Sequence, residues 1–326
     1  MQSTVTALLT SGKGILAADE SLPTIGKRFK ALNIPSTEEN RRAYRELLFT
    51  TPGLSEFISG VILFDETIRQ RTSSGALMPE WLAAQGMVPG IKVDHGTVAL
   101  PAFAGEKMTL GLDGLRERLA EYRQLGARFT KWRAVIAIGA GRPTDACIEA
   151  NAQSLALFEA LSQETDLVPI VELEILMDGD HTIARGEEVA SATLRAVFGA
   201  LVLHGVVLEH MLLKTGMILS GADCPEQADA GAVAGATLRC LRRTVPAAVP
   251  GVVFLSGGQN PGEATTRLAA ICEATKGPWT LTFSFGRALQ DEALKAWRGS
   301  PANTATAQAA LHDRARRTST ALGGGA

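Results

Sequence analysis

Lysines and carboxylates recur here at a spacing of two, and side chains two apart along a strand share one face. Lys131 and Arg133 flank Trp132, so both cations can face one way and the indole the other. Glu172 and Glu174 flank Leu173 in the same manner, and Lys92 precedes Asp94 by two. Asp19 and Glu20 follow the apolar run Ile15-Leu16-Ala17-Ala18, and Lys214 ends the run VVLEHMLLK. Charges of both signs gathered at one place are costly unless they are paired and used. Lysines among carboxylates suit covalent amine chemistry. An amine is nucleophilic only when deprotonated, and burial or nearby cations lower its pKa, so Lys131 and Arg133 are candidates to activate Lys214. The bland alternative is structural, with Lys214 capping a strand end and Glu172 and Asp19 serving in ion pairs. The set argues for chemistry more strongly than any one member.

Two further segments suit an anion. Ser256, Gly257 and Gly258 precede a helical pattern opening near Glu263, and Gly286-Arg287 opens another. Glycines let backbone N–H groups approach an anion, and helix N-termini favour negative charge. Arg287 adds a bidentate donor. Lys27 and Arg28 form a second cationic group, for which a solvated helix face is the plain reading.

The elements that must position these groups are eight short apolar runs, at residues 15–18, 61–64, 90–93, 128–132, 167–171, 207–213, 252–255 and 280–285. Their composition is that of strands buried on both faces. Between them lie amphipathic patterns at 41–49, 112–125, 147–161, 187–202, 228–243, 263–274 and 287–297. Ser36 with Glu39 predicts a capping box before the first of these. The alternation predicts an α/β fold, a single (β/α)8 TIM barrel over 1–326, although a doubly wound open sheet has the same alternation. In a barrel the site lies at the C-terminal ends of the strands, and the loops after strands 7 and 8 hold phosphate. Both expectations match the residues singled out. The small, polar segment from about 300 to 326 is expected to be a mobile tail.

Composition excludes other classes. Lys and Arg total 32 against 34 Asp and Glu, which leaves no electrostatic footprint for nucleic acid or an anionic membrane. The longest uncharged run, 244–262, contains three prolines and is a poor membrane span. Four scattered cysteines read as reduced thiols, and five histidines form no HxH or HExxH group, so no metal and no cofactor is expected. The opening MQSTVTALLT lacks the basic-then-apolar order of a secretory signal, and a cytoplasmic protein is expected. The near-neutral total is expected to average over a locally cationic site.

Ten segments in order resemble class I fructose-bisphosphate aldolase: GKGILAADES (12–21), TEENRRAYRELL (37–48), GVILFDET (60–67), GIKVD (90–94), GLDGL (111–115), KWR (131–133), LVPIVELEIL (167–176), LLK (212–214), RRTVPAAVPGVVFLSGGQ (242–259) and SFGRALQ (284–290). The resemblance implies a metal-independent (β/α)8 lyase that cleaves fructose 1,6-bisphosphate to dihydroxyacetone phosphate and glyceraldehyde 3-phosphate. It implies Lys214 as the Schiff-base lysine and Glu172 as the acid–base group. Lys131 and Glu174 would assist electrostatically, and Asp19 would handle the C4 hydroxyl proton. Ser256, Gly257, Gly286 and Arg287 would bind the C1 phosphate, with Gly258 and Ser284 also among the substrate-binding residues. Thr24, Arg28, Lys92 and Arg133 would lie along the path of the C6 phosphate. A homotetramer is implied as well. The pattern departs from the family at Leu173 and Thr215, where prolines are usual, and at His95, where a lysine is usual. The animal enzymes end in a proton-shuttling tyrosine. This sequence has only Tyr44 and Tyr122, leaving that role to a water or to Glu172. Two competing readings are another Schiff-base sugar-phosphate lyase and a non-catalytic phosphosugar-binding scaffold.

Overall fold

The computed structural model describes residues 1–274 and 277–323. Eight parallel strands close into a barrel: β1 (Gly14–Ala17), β2 (Ile58–Leu63), β3 (Val88–Lys92), β4 (Phe129–Ile136), β5 (Val168–Ile175), β6 (Leu212–Thr215), β7 (Gly251–Phe254) and β8 (Thr280–Phe285). Each strand pairs with its sequence neighbours, and β1 pairs with β8, so no edge is left open. That closure decides for the barrel over the open sheet. All eight expected strands are present. The sixth is shorter than expected, because Leu208–His210 form a 3-10 turn that carries Glu209 and His210 outside the barrel before β6 begins.

The outer layer is built by α2 (Leu22–Lys30), α3 (Glu38–Phe49), α6 (Leu115–Gln124), α7 (Asp145–Glu164), α8 (Ile183–Leu203), α9 (Ala230–Thr244), α10 (Pro261–Glu273) and α11 (Arg287–Trp297), with short α4 (Asp65–Ile68) and α5 (Met78–Ala84) after β2. Helix α3 is capped one residue later than expected: the Thr37 hydroxyl accepts from the Asn40 N–H. Three features depart from the sequence reading. Helix α1 (Gln2–Leu8) closes the bottom of the barrel, packing Val5 and Leu8 against Ile15, Ile62, Phe129 and Leu212. A two-stranded ribbon, Thr97–Ala99 with Lys107–Thr109, follows β3. Most of the segment expected to be a mobile tail is helical: α12 (Thr304–Thr320) buries Ala307, Leu311 and Ala315. The last three residues of that expected tail, 324–326, lie outside the described residues.

Strands approach closely where glycine permits it. A Cβ on Gly90 of β3 would lie 2.2 Å from the Phe129 ring of β4. No helix among the described residues is long and apolar enough to cross a membrane.

Candidate active site

Strand pairing explains why distant residues meet. In parallel register Lys92 stands beside Lys131, Arg133 beside Glu172, and Glu172 beside Lys214. Inward-facing positions on four neighbouring strands therefore form one row of charges at the C-terminal mouth. The alternation along β4 holds as expected: Lys131 is buried inside the barrel, and Trp132 turns outward to stack on Phe158 of α7, with centroids 5.6 Å apart.

At the centre Glu172 bridges two ammonium groups. Its Oε2 lies 2.8 Å from Lys131 Nζ and its Oε1 lies 3.2 Å from Lys214 Nζ. Lys131 Nζ also reaches Asp19 Oδ2, at 2.6 Å. All four residues are less than 10% exposed, Asp19 being the most open at 9%. Burial pushes the Glu172 carboxyl up, but Lys131, Lys214 and Arg133 outweigh it and hold the group ionised, well below the usual carboxylate range. Burial likewise disfavours charge on Lys131, but Asp19, Glu172 and Asp94 outweigh it and keep that ammonium protonated. Lys131 is thus a fixed positive charge. The group within reach of the Lys214 proton is Glu172.

Around this core the remaining charges are tied down. Arg133 Nε donates to Glu174 Oε2 at 2.6 Å. Lys92 Nζ is held by the Asp94 carboxylate and by the Asp94 carbonyl oxygen at 2.6 Å, and Asp94 Oδ2 accepts from the Arg133 N–H at 3.2 Å. Burial lowers the Lys92 pKa, with Asp94 opposing. The expectation of a locally cationic site is therefore only partly met: most cations of the mouth face a carboxylate.

The loops after β7 and β8 come together as expected. Gly257 and Gly258 have φ of 57° and 90°, the left-handed region that favours glycine. A Cβ on Gly258 would lie 3.4 Å from Arg287 Nη2. Arg287 is exposed and forms no ion pair among the described residues. Gly286 caps α11, Ser256 is buried beside the glycines, and the Ser284 hydroxyl is buried without a hydrogen-bond partner. A pre-set hydroxyl, two glycines, a helix N-terminus and a free guanidinium make an anion cradle.

The segment after β1 differs from expectation. Arg28 is committed to a half-buried network, pairing with Glu20, with Asp291 Oδ1 at 3.0 Å and with Gln290 Oε1 at 3.0 Å. Arg45 of α3 pairs with the same Glu20 at 2.5 Å. Thr24 is exposed, with its hydroxyl 3.1 Å from that of Ser21. Neither Thr24 nor Arg28 joins the Glu172 cluster. Sequence reasoning missed Arg45, Gln290 and Asp291. A buried arginine on a charged helix carries no periodic signal that separates it from its exposed neighbours.

No group of three or more His, Cys, Asp or Glu side chains suited to a metal occurs among the described residues.

The family model for fructose-bisphosphate aldolase class-I matches residues 1–325. A probable fructose-bisphosphate aldolase class 1 of Xylella fastidiosa is 53% identical over 317 residues, covering 97% of this chain and 95% of its own. The cytosolic fructose-bisphosphate aldolase 4 of Arabidopsis thaliana is 52% identical over 317 residues, covering 97% of this chain and 81% of its own. Among solved structures, the Plasmodium falciparum fructose-bisphosphate aldolase, in complex with TRAP and a small-molecule inhibitor, superposes with a TM-score of 0.97 at 48% identity. That match covers 99% of this chain and 94% of the other. A buried lysine–carboxylate cluster at a barrel mouth, together with these likenesses across nearly the whole length, shows that the chain belongs to the class I fructose-bisphosphate aldolases, lyases that cleave fructose 1,6-bisphosphate reversibly through a lysine Schiff base.

Proposed function

We propose that Lys214 forms the Schiff base and that Glu172 moves the protons of its formation. The observation that carries this reading is the single carboxylate bridging Lys131 and Lys214. Glu172 accepts the Lys214 proton, and the freed amine attacks the C2 ketone to give a carbinolamine. Glu172 then returns the proton to the C2 hydroxyl, water leaves, and a protonated imine remains. Asp19, assisted by Lys131, takes the proton of the C4 hydroxyl. The C3–C4 bond breaks, its electrons flow to the imine nitrogen as an enamine, and the aldehyde product departs. The enamine is protonated at C3 by water, or by Glu172 once it has taken up a proton from water, before hydrolysis frees dihydroxyacetone phosphate.

Ser256, Gly257, Gly258, Ser284, Gly286 and Arg287 hold the C1 phosphate. The unpaired Arg287 beside Gly258 supports this. Lys92 and Arg133 line the side toward the C6 phosphate, and Glu174 orients Arg133. Thr24 and Arg28 are assigned to the same path. Because Arg28 is held by Glu20 and Asp291, its role there requires those partners to share it. The protein acts in the cytoplasm, in keeping with relatives named cytosolic or cytoplasmic. It assembles as a homotetramer, a reading supported by the exposed Leu157, Val202, Leu203 and Val207 on and after α7 and α8. Mass photometry is expected to find a species of four chains.

Borohydride with dihydroxyacetone phosphate tests the chemistry. Irreversible inactivation with the reduced adduct on the Lys214 peptide is expected, with activity indifferent to EDTA. Turnover by Lys214→Met, or an adduct on another lysine, would overturn the assignment.

A further inference from the structure

Behind the proposed phosphate loop lies a small cavity, bounded by Met177, Gly216, Ile218, Leu255, Gly257 and His181. Three loops meet there, those after β5, β6 and β7. The first two are stitched by hydrogen bonds from Gly221 N–H to His181 O (2.7 Å), Ala222 N–H to Met177 O (2.6 Å) and Asp223 N–H to Gly179 O (2.9 Å). Contact is so close that a Cβ on Gly221 would sit 2.2 Å from the Gly179 carbonyl oxygen. The backbone of His181 is therefore fixed. Its ring nitrogen Nδ1 is nonetheless buried with no hydrogen-bond partner among the described residues. An unpaired buried polar atom is costly, so such atoms are satisfied by protein or by ordered water. The cavity offers about 20 Å³ of room for water, above the roughly 10–15 Å³ one molecule needs. Peptide N–H groups of Met217 and Gly257, both at its wall, donate to no protein acceptor among the described residues.

We propose that one ordered water fills this cavity, donating to His181 Nδ1 and accepting from the Gly257 N–H, and that His181 is thereby a positioning residue for the Gly257 loop. The consequence rests on the reading of that loop as the C1 phosphate site. His181 braces the loop from behind in the free enzyme, so the ordering is done before the phosphate arrives. It acts on binding rather than on the imine steps, which depend on Lys214 and Glu172.

The first test is a high-resolution crystal structure of the wild-type enzyme. Density for a water within hydrogen-bond distance of His181 Nδ1 is expected, and a dry cavity overturns the proposal. The second is kinetic. His181→Phe keeps a ring but no polar atom, and should raise KM for fructose 1,6-bisphosphate and Ki for inorganic phosphate about fivefold, with kcat within about twofold. That change corresponds to one net hydrogen bond of about 1 kcal/mol. His181→Asn keeps a polar atom near Nδ1 and should restore both constants. An unchanged KM and Ki in His181→Phe overturns the proposal, as does a fall in kcat without a change in Ki. Should His181→Phe fail to fold, the wild-type density and His181→Asn still decide. An Arg287→Ala variant separates the two layers. If it leaves the phosphate Ki unchanged, the phosphate reading of the loop falls, and the bracing consequence with it, whatever density lies at His181.

Discussion

Glu172 has two oxygens and two ammonium partners, and this limits what a substitution there can do. Glu172→Gln removes the acceptor for the Lys214 proton and leaves Lys131 with Asp19 alone. General acid–base groups contribute about 10²- to 10⁴-fold, so kcat should fall by that range while phosphate affinity stays near the wild-type value. Steady-state kinetics with Ki for inorganic phosphate checks this, and a variant that keeps kcat would remove Glu172 from the chemistry. The cluster was legible in the sequence because inward residues alternate with period two, so Lys131 and Arg133, or Glu172 and Glu174, could be assigned to one face. What the period cannot reveal is which carboxylate meets which cation across strands. Lys131 and Arg133 were legible as neighbouring cations of Lys214, but the Glu172 carboxylate standing between Lys131 and Lys214 was not. Arg28 illustrates the same limit: its cationic character was plain, its capture by Glu20 and Asp291 was not.

Elements with a strong apolar stripe were legible, and those with a weak one were not. Helix α12 buries Ala307, Leu311 and Ala315, a stripe at i, i+4, i+8 that small side chains make nearly invisible among Thr, Gln and Arg. Helix α7 hides the opposite surprise. Glu159 is fully buried, neither of its oxygens has a hydrogen-bond partner among the described residues, and burial alone pushes its carboxyl well above the usual carboxylate range. Of the charged side chains on the surrounding elements, Lys131 and Arg133 on β4, Glu172 and Glu174 on β5, Arg116 on α6 and Arg185 on α8 are engaged elsewhere, and Arg195 on α8 is exposed. The folded state therefore keeps a proton that the unfolded chain releases above about pH 4.5. Stability attributable to Glu159 falls as pH rises from that value toward the raised pKa. Glu159→Gln should match the wild type in thermal unfolding near pH 4 and exceed its Tm at pH 8. Equal Tm values at both pH values would mean that Glu159 finds a partner. On the sheet side, Gly90→Ala drives a methyl group into Phe129 and should cost about 1–3 kcal/mol by overpacking, read from denaturant unfolding.

At the scale of the whole molecule the two ends of the barrel do different work. At the C-terminal mouth the charges around Glu172 are mutually paired, whereas Arg287 forms no ion pair among the described residues, so the near-neutral total reflects pairing within the site as well as a balanced surface. The opposite end is apolar. Leu8 of α1 is fully buried there, against a cluster that includes Phe129, Val168, Leu212 and Val253, and it fills the space above Gly60, where a Cβ would lie 2.6 Å from Leu8 Cδ2. The alternation of strands and helices was enough to place the mouth, since the charged residues follow the apolar runs. It could not reveal the plug, because seven residues of helix with two buried side chains carry too little pattern. Leu8→Ala removes a buried side chain without touching the row of charges at the far end of the strands. It should lower the unfolding free energy by about 2–5 kcal/mol and leave kcat and KM unchanged at 25 °C. Paired denaturant unfolding and steady-state assays measure both. A loss of activity without loss of stability would show that the bottom of the barrel is coupled to the imine site and would contradict the division between its ends.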